Sequence, residues 1–246
     1  MKIFIFSTNL NYWNSIIINK LLSDKNIQVQ GIYFGSSQGG HKGLKFKISR
    51  LFDYGLDNLL KIAFQSIFYS NRANKNLVKN CQDTIDRSGV KIYSGKEFHN
   101  CLDIAVGTCD YSLLVYFNRI IPKRYINNTI INIHPGKLPD YRGVQPVFWT
   151  LLKNEKEIGL SVHLIDEGID TGPICEMFIL PIKKRSIADI MISCSKVLEK
   201  NIISILNRLC KNNIELKYQN KEEGMYFSRP KASDIRKFLR SGNHYY

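Results

Sequence analysis

The chain opens with KIFIFS (Lys2 to Ser7), a short continuous apolar run. Trp13, Ile16, Ile17, Leu21 and Leu22 follow at helical spacing, then IQVQGIYF (Ile27 to Phe34). A run that is apolar at every position reads as a strand buried on both faces, and the intervening period of 3.6 reads as a helix. Strand, crossover helix and strand in succession close in a right-handed sense into a parallel sheet. The fold class this predicts is α/β: a Rossmann-like, mostly parallel sheet flanked by helices.

Later segments extend the pattern. Val90 to Tyr93, Tyr111 to Phe117 and Thr129 to Ile133 read as further strands. Gly159 to Asp166 alternates Leu160, Val162 and Leu164 against Ser161 and His163. That alternation predicts a half-buried strand with His163 on its outer side, a structural residue. Pro173 to Ile182 is its expected antiparallel neighbour. Gly143 to Asn154 reads as a helix with Pro146 in the first turn, where a missing N–H is tolerated. Ser186, with Asp189 three residues on, opens a helix whose apolar face runs Ile187, Ile190, Met191, Cys194, Val197, Leu198, Ile202 and Leu206. Residues 47–87 read mainly as helix, residues 35–43 as a Gly-rich loop holding His41, and the stretch from Asn212 as a polar surface tail. The division this implies is a unit over 1–185 with a helical insertion at 47–87. A helix and tail over 186–246 are then free for dimer or substrate contacts.

Composition constrains the partners. Lys and Arg number 35 against 21 Asp and Glu, a net charge of +14, in a chain that is otherwise ordinary at 44% hydrophobic and 23% charged. Such a balance favours anionic partners, although the basic residues are scattered rather than striped. The six cysteines (81, 101, 109, 175, 194 and 210) include no CxxC pair and no cluster with histidine at metal spacing. Reduced thiols, a start without signal-peptide layout and no metal are therefore expected, which places the chain in the cytoplasm. Leu51 to Ser70 is the most apolar stretch, but Asp53, Asp57 and Lys61 interrupt it. It is expected to pack on the body or on a second copy in a homodimer, with no membrane contact.

Chemistry concentrates in two segments, NIHPGKLPDYRG (Asn132 to Gly143) and DEGIDTGPI (Asp166 to Ile174). The first is a loop stiffened by Pro135, Pro139 and Gly143 at the mouth of a strand, where α/β proteins keep their sites. The second is a tight acidic loop between two strands, in which Gly168 and Gly172 permit positive φ. A carboxylate held near an imidazole favours its charged form. With no Ser or Cys nucleophile at hand, Asn, His and Asp point to direct transfer rather than a covalent intermediate.

With FNRIIP (Phe117 to Pro122), these segments resemble the formyltransferases that use N10-formyltetrahydrofolate. Members act on glycinamide ribonucleotide, methionyl-tRNA or sugar amines. The resemblance covers Tyr111 to Ile182 and, more weakly, the first 35 residues. It implies Asn132, His134 and Asp170 as the catalytic trio. Asn118, Arg119, Ile120 and Ile121 would form one wall of the folate pocket, with Arg119 acting through its backbone; Asp166, Glu167, Gly168 and Ile169 would form the other. Protonated His134 and Asn132 would donate to the formyl oxygen, while Asp170 keeps His134 charged and helps take the amine proton. Gly136 and Lys137 stand where the family carries Ser and Leu, and with Tyr141 and Arg142 they are the expected acceptor contacts. For Arg142, loop bracing and an anion contact both stay open. The resemblance also implies a cis bond at Leu138–Pro139.

Among acceptors, the short stretch after Lys184 argues against the appended domain of tRNA formyltransferases. The glycine-free turn STNLNYW (Ser7 to Trp13) argues against a backbone cradle for the phosphate of a ribonucleotide. Nor is the amino-terminal regulatory domain of formyltetrahydrofolate hydrolases expected here. A dTDP- or GDP-linked amino-deoxysugar for surface polysaccharide is the expected acceptor, and no nucleic acid. Methionyl-tRNA formyltransferase, phosphoribosylglycinamide formyltransferase and an idle, basic nucleic-acid-binding relative are the alternatives.

Overall fold

A computed structural model describes residues 1–35, 56–69, 72–127 and 129–246. Residues 36–43 with His41, and 47–55 of the expected helical insertion, lie outside the described residues. In chain order the strands are β1 (Lys2–Thr8), β2 (Gln28–Gly35), β3 (Ile92–Ser94), β4 (Tyr111–Val115), β5 (Ile130–His134), β6 (Arg142–Gly143), β7 (Glu157–Leu164), β8 (Ile174–Pro181) and β9 (Tyr226–Phe227). The helices are α1 (Asn14–Ser23), α2 (Leu56–Tyr69), α3 (Arg72–Ser88), α4 (Phe98–Thr108), α5 (Pro146–Leu152), α6 (Ile187–Cys210) and α7 (Ala232–Arg240). Seven strands form one sheet in the order β3-β2-β1-β4-β5-β7-β8, and β6 pairs with β9 apart from it. β3, β2, β1, β4 and β5 are mutually parallel; β7 and β8 run antiparallel.

The central strand shows why the apolar runs are continuous. Ile3 and Ile5 face a core shared with α1 and α6, while Phe4 and Phe6 face a second core of Tyr33, Tyr93, Phe98 and Leu102. Successive side chains point to opposite faces, so a strand covered on both must be apolar throughout. The same alternation sorts β5: Ile131 and Ile133 enter the first core, and Ile130 the second. Asn132 and His134, at even positions, therefore share the Ile130 face at the carboxyl end of the strand.

Local signals place the helix starts. Pro146 begins α5, and the Ser186 hydroxyl accepts the Asp189 N–H at 3.1 Å at the start of α6. The expected helix over 47–87 is two helices where it is described, and α4 escaped the sequence reading. Two expectations fail. β7 is buried on both faces rather than half-buried, because the loop after β5 covers its polar side. The stretch after Asn212 is not a surface tail. It carries β9 and α7, and Phe238 of α7 is fully buried with its ring stacked on Phe148 of α5 at 4.5 Å.

Candidate active site

β5 and β7 pair with Asn132 opposite His163 and His134 opposite Ser161. Directly opposed side chains share a face, so antiparallel register brings His163 beside Asn132. The Asn132 Nδ2 group lies 3.1 Å from His163 Nε2 and 3.1 Å from Asp170 Oδ1. His163 Nδ1 meets the Leu164 carbonyl at 2.8 Å, so that nitrogen carries the proton and Nε2 accepts from Asn132. His163 is thus a buried fourth member of the cluster, 3.5 Å from Asp170 Oδ1, and not an outward-facing structural residue. No spacing along the chain signals it; the register of β7 against β5 is the signal.

Asp170 is held from several sides. Its Oδ2 accepts the Gly143 N–H at 2.9 Å and lies 3.5 Å from His134 Nδ1. Its backbone has φ +54°, in the left-handed region. Gly168 and Gly172 permit positive φ in this loop, but neither adopts it, and Asp170 takes that conformation itself. The glycines serve close approach. A Cβ on Gly172 would lie 1.9 Å from the Leu164 carbonyl oxygen, and one on Gly168 would lie 2.0 Å from Thr171 Oγ1.

Charge in the cluster follows from burial and these contacts. Burial raises the Asp170 carboxyl, but the pull of His134 and His163 once either takes up a proton, with the Gly143 N–H, outweighs it and holds the group well below the usual carboxylate range. His134 is buried, and burial pulls it below the ordinary imidazole value against the opposing pull of Asp170. At neutral pH its resting form is therefore neutral, not the expected imidazolium, because desolvation exceeds the attraction of one carboxylate. Nε2 carries the proton, since it faces the Tyr141 carbonyl at 2.7 Å, and Nδ1 is left as a proton acceptor beside Asp170.

The loop between β5 and α5 is shaped around this imidazole. Gly136 is buried, and a Cβ there would lie 2.6 Å from His134 Nε2 and 2.9 Å from the Tyr141 carbonyl oxygen. Its missing side chain is what lets Tyr141 reach His134. Leu138–Pro139 is cis. Tyr141 is buried, its hydroxyl donating to Glu155 at 2.7 Å and its ring stacked on Phe227. Of the two roles open for Arg142, the structure gives it bracing: at 6% exposure its guanidinium donates to Gln219 and to the carbonyls of Asn220, Lys221 and Glu223. Lys137 is exposed and pairs with Asp140 at 3.0 Å.

Two segments flank the cluster. Tyr116, at φ +52°, turns the chain out of β4, with its hydroxyl 2.9 Å from Ser195 on α6. Beyond it Asn118 and Ile120 are exposed, Ile120 at 81%, while Ile121 is buried. The Arg119 guanidinium lies over the Phe98 ring and donates to the Tyr33 hydroxyl. In the opposite segment Ile169 is exposed, and Glu167 pairs with Lys123 at 2.7 Å, tying the two together. Asp166 accepts from Gly168 N–H and Thr171 Oγ1 and pairs with Lys221 at 3.0 Å. Burial raises its carboxyl, but Thr171 and Lys221 outweigh that and lower it. Among the described residues no group of three or more His, Cys, Asp or Glu is placed to hold a metal ion. No helix of the described residues is long and apolar enough to cross a membrane.

The chain is similar to known proteins over this region. A methionyl-tRNA formyltransferase from Pelagibacter ubique is 31% identical over 129 residues, 51% of this chain and 42% of that protein. The chain thus spans less than half the length of the curated relatives it matches. Among solved structures, a 4-N formyltransferase from Francisella tularensis superposes with a TM-score of 0.60 at 19% identity, covering 99% of this chain and 88% of that one. An N-formyltransferase from Helicobacter canadensis, in complex with folinic acid and dTDP-3-aminofucose, gives 0.56 at 21% identity, covering 98% and 80%. These likenesses share the α/β fold described above. The family model for formyl transferase matches residues 82–206, half of the 246-residue chain, and with that stretch enclosing Asn132, His134, His163 and Asp170, the chain belongs to the formyl transferase family.

Proposed function

We propose that this protein transfers a formyl group from N10-formyltetrahydrofolate to the amine of a nucleotide-linked amino-deoxysugar, of dTDP or GDP type. One observation carries the reaction: Asn132, His134, His163 and Asp170 converge at the end of β5. The exposed apolar side chains of Ile120 and Ile169, on segments tied by Lys123 and Glu167, fit the flat ring system of a folate. Asn118 and the backbone of Arg119 would line one side of it; the backbone of Asp166 to Ile169 would line the other.

The division of labour follows from proton positions. As the acceptor nitrogen bonds to the formyl carbon, the carbonyl electron pair moves onto oxygen. The His134–Asp170 pair takes the proton the amine loses, Nδ1 being its acceptor. His134 then becomes the cation that Asp170 stabilises, and it forms during the reaction rather than before it. Asn132 Nδ2, whose two N–H groups rest on His163 and Asp170, would turn the one held by Asp170 to the oxyanion. His163, by accepting from Asn132, fixes which way that amide faces. The proton returns to the folate nitrogen as its bond to the formyl carbon breaks.

The sugar amine is supported by the Helicobacter canadensis neighbour, which covers 98% of this chain and holds dTDP-3-aminofucose. The β1–α1 turn supports this choice. Asn14 Nδ2 lies within hydrogen-bond distance of Ser7 Oγ and the carbonyls of Thr8 and Asn9, so the turn is filled by its own side chains rather than open to a phosphate. Lys137, exposed beside the cluster, would face the acceptor. A second reading, the aminoacyl group of charged initiator tRNA, is favoured by the curated relatives and the charge of +14. Incubation with N10-formyltetrahydrofolate and, in turn, a dTDP- or GDP-amino sugar, charged initiator tRNA and glycinamide ribonucleotide separates them. Tetrahydrofolate release is expected with an amino sugar; release with tRNA alone overturns the acceptor, and release with none overturns the enzyme.

A further inference from the structure

Asp170 occupies a left-handed backbone conformation, φ +54°, that neither flanking glycine shares. What meets its backbone comes from outside the family-matched stretch. Gln219 Nε2 donates to the Asp170 carbonyl at 3.1 Å and to the Gly172 carbonyl at 2.7 Å. Its Oε1 accepts from Arg142 Nη2 at 3.1 Å and, at the longer distance of 3.4 Å, from Nε. Both amide hydrogens and the amide oxygen are therefore engaged, and only a side-chain amide offers two donors and an acceptor in one plane, of which Gln is the longer. Arg142 in turn binds the carbonyls of Asn220, Lys221 and Glu223. The segment is pressed down at its far end too: Gly224 has φ +82°, and a Cβ there would lie 2.0 Å from the Pro139 carbonyl oxygen.

We infer that Gln219 is a positioning residue for the reaction: it locks the backbone of Asp170, with Arg142 locking Gln219, so that the carboxyl-terminal segment is a working part of the site. The inference rests on the proposed role of Asp170. A carboxylate tethered to one loop at a left-handed residue would otherwise relax toward ordinary φ and swing away from His134 and the Gly143 N–H. Displacement of a reacting group by about 1 Å costs up to about a hundredfold in rate.

The test uses the full-length protein and two readouts, turnover with dTDP-3-aminofucose and the NMR titration of His134, which needs no acceptor. Asp170, His163 and the Tyr141 carbonyl are the groups that face this imidazole. Gln219→Met keeps the length and loses the hydrogen bonds; Gln219→Asn keeps an amide that is too short and covers the case in which the first variant fails to fold. Either is expected to move the His134 titration to lower pH, as Asp170→Asn is expected to do, and to lower kcat about 10- to 100-fold with little change in KM for the folate. An unchanged His134 titration, or a lower melting temperature with kcat per folded molecule unaltered, overturns the positioning role. Full turnover by Asp170→Asn would instead overturn the catalytic reading of the trio.

Discussion

Asp170 shows how much one backbone angle decides. At φ +54° its two carboxylate oxygens reach Asn132 on one side and Gly143 N–H on the other, and each contact favours the ionised form. Replacing Asn132, His134 or Asp170 by Ala is expected to cost about 2.7 kcal/mol or more in the barrier, by comparison with a lost oxyanion donor. Steady-state kinetics beside a thermal melt checks this, and near-normal turnover by His134→Ala would sink the assignment. The electrostatics also set a pH dependence of stability. The folded His134 lies below its ordinary value of 6.5, so as pH falls past that value the unfolded chain takes up a proton that the folded chain resists. Stability then drops toward acid, and the contribution of Asp170 is lost only below the ordinary aspartate value of 3.8. The melting temperature is expected to fall between pH 7 and 5, and His134→Gln to flatten that fall. A variant with the same slope as the wild type would remove His134 as its cause.

At the scale of elements, the site is a product of loops crossing closely over two strands. Gly159 lies against the backbone of Lys137, where a Cβ would come within 2.4 Å of Cα, and the Ser161 hydroxyl donates to the Gly136 carbonyl at 2.7 Å. These contacts bury the polar face of β7 and turn Ser161 and His163 from expected surface residues into interior ones. Gly172 is the tightest of the crossings because its neighbour is backbone, which cannot rotate aside. Gly172→Ala is expected to destabilise the fold by about 1–3 kcal/mol, the range for forced overpacking. Urea unfolding measures it, and a loss of under half a kcal/mol would show that the loop gives way freely.

At the scale of the whole molecule, the carboxyl-terminal stretch is bound into the same body as the sheet. Phe238 packs between Phe148 and Tyr245. Phe227 is stacked between Tyr141 and Trp149. Phe238→Ala is expected to cost about 3–5 kcal/mol, as for other fully buried aromatics. Loss of α7 alone, with the rest of the chain melting as before, would contradict that coupling. Legibility from the chain divides along the same line. The parallel sheet, the helix starts at Pro146 and Ser186, and the pairing of Asn132 with His134 on one strand face were readable, because they depend on periods of two and 3.6 and on caps. All are properties of neighbours in sequence. His163 beside Asn132, the left-handed Asp170, the neutral resting His134 and the hold of Gln219 were not. Each depends on strand register, on desolvation or on a contact between segments remote in sequence, and those quantities come into being only when the chain has closed on itself.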